Sequence, residues 1–206
     1  VFTLFIFLSM IAYFMQELIL EPYAGLVFGY SPGQSTQLSG AQNGGVFVGM
    51  LLVGIAATGF RIGTLRMWVM AGCLGSAAAL LVIAALGQVG GNLLLAVVAL
   101  GFFNGMFAVA AIGSMMALAG QGRAAREGTR MGLWGAAQAV AAGFGGLVGA
   151  AAADALRLFT DAPDAFGAVF AMEAALFCVA AMIAAKVIEG RGGAVRATSP
   201  QLLPGE

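Results

Sequence analysis

Six long apolar runs divide this chain, at roughly 1–20, 38–59, 67–87, 93–119, 131–153 and 166–187. Each is long enough to cross a bilayer as a helix, which takes about 20 apolar residues. The polar connections are short except for 21–37, and the stretch 189–206 is polar, with Gly, Ser and Pro. The pattern predicts an all-α integral membrane protein: six transmembrane helices in one unit over 1–188, then a disordered polar tail over 189–206.

Composition sharpens that reading. Hydrophobic residues make up 61% of the chain, charged residues 9%, and the mean hydropathy is +0.99, where a soluble domain carries about 25% charged residues. The 32 Gly follow no collagen period and suit closely packed helices in lipid. Net charge is zero and the basic residues are scattered, which excludes nucleic-acid binding as the expected role. There is no His, so the commonest metal ligand and general base are missing. Cys73 and Cys178 lie in separate apolar runs without a CxxC spacing and are expected to be small packing residues. The chain opens at Val1 inside an apolar run, with no initiator Met and no basic n-region. The first run therefore reads as a membrane helix rather than a signal peptide, and the chain as an internal piece of a longer polypeptide.

Charge orients the spans. Arg61 and Arg66 fall between runs two and three, Arg123, Arg126 and Arg130 between four and five, and Lys186, Arg191 and Arg196 after six. Eight of the nine basic residues thus share one side, with Arg157 alone on the other beside Asp154, Asp161 and Asp164. The positive-inside rule makes the shared side cytoplasmic, with both ends of the unit there. Six spans of that topology match one half of a twelve-helix transporter, a half built as three plus three inverted repeats. No clear sequence repeat links the two triplets. The turn Gly59–Arg66 stands where a major-facilitator half carries its Gly/Arg-rich turn.

The acids in the first run are the sharpest candidate chemistry. Gln16, Glu17 and Glu21 lie far in sequence from any Lys or Arg. Four residues apart, Glu17 and Glu21 share a helix face if the helix reaches that far, and Pro22 disfavours its continuation. Such acids mark a hydrated interface, or line a cavity, hold a cation or bind a polar group of a ligand. The segment 24–33 is expected as an interfacial loop, with Tyr23 and Tyr30 in the headgroup zone or with Phe28 and Tyr30 as a docking surface for a partner. Asn104, on the Gly101/Gly105 ridge among Phe102, Phe103 and Phe107, is expected to hydrogen-bond a neighbouring helix or to meet a flat aromatic ligand. Gln138, four residues after an interfacial Trp134, calls for a helix partner. Glu173 lies about nine residues beyond Asp164, roughly 13 Å deeper along a helix, and is a candidate proton site or a neutral carboxyl bonded to a neighbouring helix. The ridges Gly40/Gly44, Gly45/Gly49 and Gly145/Gly149 are expected to pack helices. No phosphate loop, zinc spacing or Ser-His-acid set occurs in the sequence.

Two stretches resemble the signatures of the PucC/LhaA family: Gln16-Glu17-Leu18-Ile19-Leu20-Glu21-Pro22-Tyr23-Ala24-Gly25 with Val27-Phe28-Gly29, and Arg126-Glu127-Gly128-Thr129-Arg130-Met131-Gly132-Leu133-Trp134-Gly135-Ala136-Ala137-Gln138-Ala139. Gly105-Met106-Phe107-Ala108-Val109 is similar to the family's fourth span in this half. Glu17 stands where the family commonly has Asp. The resemblance covers the chain as the family's C-terminal six helices, a branch of the major facilitator superfamily found in phototrophs.

The resemblance implies a membrane assembly factor for light-harvesting complexes, not an enzyme, that binds or delivers bacteriochlorophyll or chaperones antenna polypeptides. Some members carry the label of bacteriochlorophyll synthase subunits, but the chain has no Asp-rich diphosphate site. The implied partners are antenna polypeptides or a reaction-centre complex, bacteriochlorophyll biosynthesis enzymes, the N-terminal half of the same protein and the bilayer of a bacterial inner or intracytoplasmic photosynthetic membrane. Bacteriochlorophyll magnesium is a hard cation that accepts oxygen ligands. The implied contacts are Gln16, Glu17, Glu21, Tyr23, Phe103, Asn104, Phe107 and Gln138. The competing expectations are a proton-coupled small-solute transporter and a structural subunit docked on a photosynthetic complex.

Overall fold

The computed structural model describes residues 2–60, 62–119 and 127–196. Six helices follow in chain order: α1 Phe2–Phe28, α2 Pro32–Gly54, α3 Leu65–Val89, α4 Leu93–Ala119, α5 Glu127–Leu156 and α6 Ala162–Arg196. Among the described residues, five stretches are long and apolar enough to cross a membrane, one in each of α2 to α6. Helix α1 carries Gln16, Glu17 and Glu21 in its second half. The protein is a multi-pass, all-helical membrane protein.

Several boundaries differ from those expected. Helix α1 does not stop before Pro22; it runs on to Phe28 with Pro22 inside it. Proline there forfeits one helical hydrogen bond, and the turn beyond it is held by burial of Tyr23 and Ala24. The expected loop 21–37 shrinks to three residues between Phe28 and Pro32. Gly29 turns the chain with a φ of 69°, the Tyr30 N–H donates to the Ala24 carbonyl at 3.1 Å, and Ser31 starts α2. The Ser31 hydroxyl accepts from the Gln34 N–H while the Gln34 side chain accepts from the Ser31 N–H. This reciprocal cap, with Pro32 at the first helical position, is a strong helix start. Helix α2 ends in one π-helical turn over Ile55–Gly59. At the far end, α6 continues through residues assigned to the polar tail; 197–206 lie outside the described residues, as do Arg61, Arg123 and Arg126.

Glycines set how the helices meet. A Cβ on Gly45 or Gly49 of α2 would overlap the carbonyl oxygens of Val98 and Phe102 on α4, and one on Gly101 or Gly105 of α4 would overlap those of Gln42 and Val46 on α2. The two backbones therefore touch, and the contacts advance together, so α2 and α4 run parallel. On α5, a Cβ at Gly145 would stand 2.9 Å from the Ile11 oxygen and one at Gly149 3.1 Å from the Met15 oxygen of α1. Helices α1 and α5 are likewise parallel. Helix α6 packs antiparallel along α3, with Gln88 near Asp164 and Ala84 near Gly167.

The principal helix pairings are unchanged when α1 exchanges with α4, α2 with α5 and α3 with α6. Contact of α2 with α4 mirrors that of α5 with α1, contact of α3 with α4 mirrors that of α6 with α1, and α3 with α6 maps onto itself. Gly45 and Gly49 correspond to Gly145 and Gly149, each pair set against two carbonyls four residues apart. By contrast, Gly40 and Gly44 have nothing within 4 Å of a built Cβ. Among the described residues nothing packs on that ridge, which faces away from α4.

Candidate functional site

The acid-bearing half of α1 lies against the start of α2. Tyr13, Gln16 and Glu17 of α1 and Ser39, Gln42, Asn43 and Val46 of α2 line a cavity of about 40 Å³ between them. One turn further on, the Ser39 hydroxyl donates to Glu21 Oε1 at 2.9 Å. Glu17 and Glu21, four apart, thus both turn toward Ser39. Glu17 and Glu21 are exposed, while Gln16 is buried and its Oε1 has no hydrogen-bond partner among the described residues. No Lys or Arg lines the cavity.

The α2 contribution was missed in the sequence. Ser39, Gln42 and Asn43 recur at spacings of three and one, a polar face inside an apolar run. That is the signal that would have found them.

The remaining expected contacts do not join this cavity. Asn104 is buried, and its Oδ1 accepts a 2.7 Å hydrogen bond from the Ser76 hydroxyl of α3. It is an interhelical link, and its Nδ2 is left without a partner. Phe107 is buried, its backbone against Gly72 and its ring 6.1 Å from Phe177. Phe103 is half-buried against Gly75. Gln138 is half-buried on α5, two turns before Gly145 and so well removed from Glu17. The side chain of Trp134 lies outside those described.

Tyr23 corrects the expectation of a headgroup-zone ring. It is fully buried, and its hydroxyl donates to the Ile83 carbonyl at 2.6 Å. Phe28, Phe166 and Phe170 surround its ring, with centroids 5.5, 5.6 and 4.9 Å away. Tyr30 joins the edge of this cluster through Phe28, at 6.2 Å. The continuation of α1 past Pro22 is what carries Tyr23 inward. Phe28 and Tyr30 are half-buried.

Glu173 is fully buried on α6, between the positions of Phe170 and Phe177, and neither carboxyl oxygen has a partner. Of the two cysteines, Cys73 is buried as expected, whereas Cys178 is exposed because it falls on the outer face of α6. No group of three or more His, Cys, Asp and Glu that could hold a metal occurs among the described residues.

Comparison with known proteins sets this arrangement in a family. The family profile described as "PUCC protein" matches residues 1–192. A Rhodobacter capsulatus protein named "Bacteriochlorophyll synthase 44.5 kDa chain" is 65% identical over 206 residues, covering 100% of this chain and 47% of the relative. A second protein of Rhodobacter capsulatus, "Uncharacterized protein in puhA-bchM intergenic region", is 31% identical over 156 residues, covering 70% of this chain and 30% of the relative. The chain thus spans about half the length of the first relative and less of the second. No solved structure matches.

The first relative overturns one expectation. The chain was expected not to be an enzyme, and a relative so similar is named as a chain of a synthase, which points to an enzyme. The expectation rested on chemistry missing from this sequence, and a sequence that covers 47% of its relative does not display all of that relative's chemistry. What the match does carry is a membrane protein of photosynthetic context. With a profile match over nearly the whole chain and this degree of identity, the chain belongs to the PUCC protein family.

Proposed function

We propose that this chain is half of a membrane assembly factor that receives bacteriochlorophyll, at or within its synthase, and hands it to antenna polypeptides. The observation that carries the reading is the acidic mouth of the α1–α2 cavity, in a chain whose relative is named for bacteriochlorophyll synthase. A cavity of about 40 Å³ does not admit a macrocycle. The pigment would lie across the mouth, with Glu17 and Glu21 reaching its polar centre. The open backbone at Gly40 and Gly44 beside Asn43 gives a flat ring close approach. Oxygen ligands suit its magnesium.

The architecture we propose is a six-span half of a major-facilitator bundle, in which α1 crosses the membrane with the other five helices. The exchange symmetry of the helix pairings and the opposed directions of α1 and α4 support it, since inverted repeats have that relation. Alternation of direction brings the start of α3, the start of α5 and Lys186 of α6 to one end of the bundle. The positive-inside rule makes that end cytoplasmic in a bacterial photosynthetic membrane. The other half of the protein, antenna or reaction-centre polypeptides and pigment-making enzymes are the partners this reading requires.

The test is pigment extraction and absorption spectroscopy of the gently purified full-length protein, wild type beside Glu17→Gln/Glu21→Gln. Bacteriochlorophyll bound to wild type and lost from the double variant is the expected result. Absence of pigment from both, with antenna polypeptides still attached, would sink the pigment reading and leave a docking role. A second reading, proton-coupled transport, is favoured by the unpartnered buried carboxyl of Glu173.

A further inference from the structure

Behind its acidic mouth the α1–α2 cavity has polar groups, Gln16 and Gln42 among them, that the pigment reading does not use. Its polar lining is made of oxygen-bearing side chains: the Glu17 carboxylate, the Gln16, Gln42 and Asn43 amides, and the Ser39 and Tyr13 hydroxyls. The lining contains one negative charge and no positive one. Gln16 is only 1% exposed, and its amide oxygen has no partner. A buried acceptor left unmatched is unfavourable, and the Glu17 carboxylate beside it has no positive charge to balance it. A neutral donor such as a water would match the acceptor but leave the charge; a cation answers both. The space suits an ion with a few waters, because a water needs about 10–15 Å³ of such space.

We propose that this cavity binds a monovalent hard cation of sodium size, held by Glu17, by Gln16 Oε1 and by oxygens drawn from Ser39, Gln42 and Asn43. One carboxylate with neutral oxygens balances one charge. A divalent ion would leave the site net positive in a low-dielectric setting, and among the described residues no three acids converge to hold one. The bound ion pins α1 to α2 at the level of the Glu21–Ser39 hydrogen bond. The inference goes beyond the pigment reading, with which it shares Glu17, and stands on the lining of the cavity.

The experiment is thermal unfolding of the full-length protein, freed of pigment in detergent, titrated with sodium chloride against potassium and choline chloride at constant ionic strength. Wild type, Glu17→Gln and Gln16→Leu are compared. Binding to the folded state alone raises the melting temperature with ligand concentration. The expected result is a saturating, sodium-selective rise in wild type. In Glu17→Gln the apparent affinity falls by about tenfold or more, the effect of losing one charged contact. The same melting temperature in all three salts overturns the proposal. So does a sodium response of undiminished affinity in both variants. Should either variant fail to fold, the wild-type comparison among the three salts still decides.

Discussion

The hydroxyl of Tyr23 in α1 donates a 2.6 Å hydrogen bond to the carbonyl of Ile83 in α3, across 60 residues of sequence. The bond ties the turn after Pro22 to the C-terminal part of α3, where Gly87 leaves room for the hydroxyl: a Cβ there would stand 2.5 Å from it. Tyr23→Phe keeps the ring among Phe28, Phe166 and Phe170 and removes only the bond. The expected loss is about 1 kcal/mol, whereas Tyr23→Ala, which empties a buried site, is expected to cost about 3–5 kcal/mol. Unfolding titrations of the purified variants check both. A Tyr23→Phe protein as unstable as Tyr23→Ala would mean that the bond, not the ring, holds the cluster.

Backbone contact at the glycine ridges makes the two repeats unequal in tolerance. At Gly49 an added methyl meets the Phe102 carbonyl with no room, and at Gly149 it meets the Met15 carbonyl at 3.1 Å. Overpacking of this kind costs about 1–3 kcal/mol. Gly49→Ala is expected at the upper end of that range or unfolded, and Gly149→Ala at the lower end. Gly44→Ala, in open space, is expected to be neutral or to gain a few tenths of a kcal/mol from helix propensity. Melting temperatures of the three variants test the order, and a Gly44→Ala as harmful as Gly49→Ala would contradict the placement of that face.

Ser76 and Asn104 form a buried side-chain link between α3 and α4 at 2.7 Å. A double-mutant cycle with Ser76→Ala and Asn104→Leu is expected to give a coupling of about 0.6 kcal/mol, and at most about 1.7, the range for such links in membrane helices. A coupling near zero would mean that Asn104 is kept for something other than the helix contact.

The apolar runs announced the helices themselves, because a bilayer demands about 20 apolar residues whatever the fold. Their ends were less legible. Pro22 is a local signal against a helix, but burial of Tyr23 and Ala24 is a tertiary effect that overrides it, and no local pattern reports it. The pairs Gly45/Gly49 and Gly145/Gly149 were visible as spacing, yet spacing alone did not separate them from Gly40/Gly44, which packs against nothing among the described residues. That the two packed pairs correspond through an internal exchange was invisible, because backbone-to-backbone packing needs only small residues and leaves the rest of each helix free to diverge. At the site, Glu17 and Glu21 drew notice as charges in an apolar run. Ser39, Gln42 and Asn43 were passed over because they carry no charge, although their span has the lowest mean hydropathy of the five.

Glu173 separates the two functional readings most cleanly. Both its oxygens are buried without a partner, on a helix face otherwise filled by Phe166, Phe170, Ala174 and Phe177. A group so placed is a liability for folding, and removing it is expected to stabilise the protein by about 1–3 kcal/mol, the desolvation cost of an unsatisfied polar group. Glu173→Leu, close in length and apolar, should therefore melt higher than wild type. If the carboxyl moves a proton, Glu173→Gln keeps the fold but abolishes proton-linked uptake in vesicles. On the assembly reading, antenna assembly in a strain that depends on the variant continues undiminished with both substitutions. Assembly lost in a well-folded Glu173→Gln protein would move the working site from the α1–α2 cleft to the α6 interior.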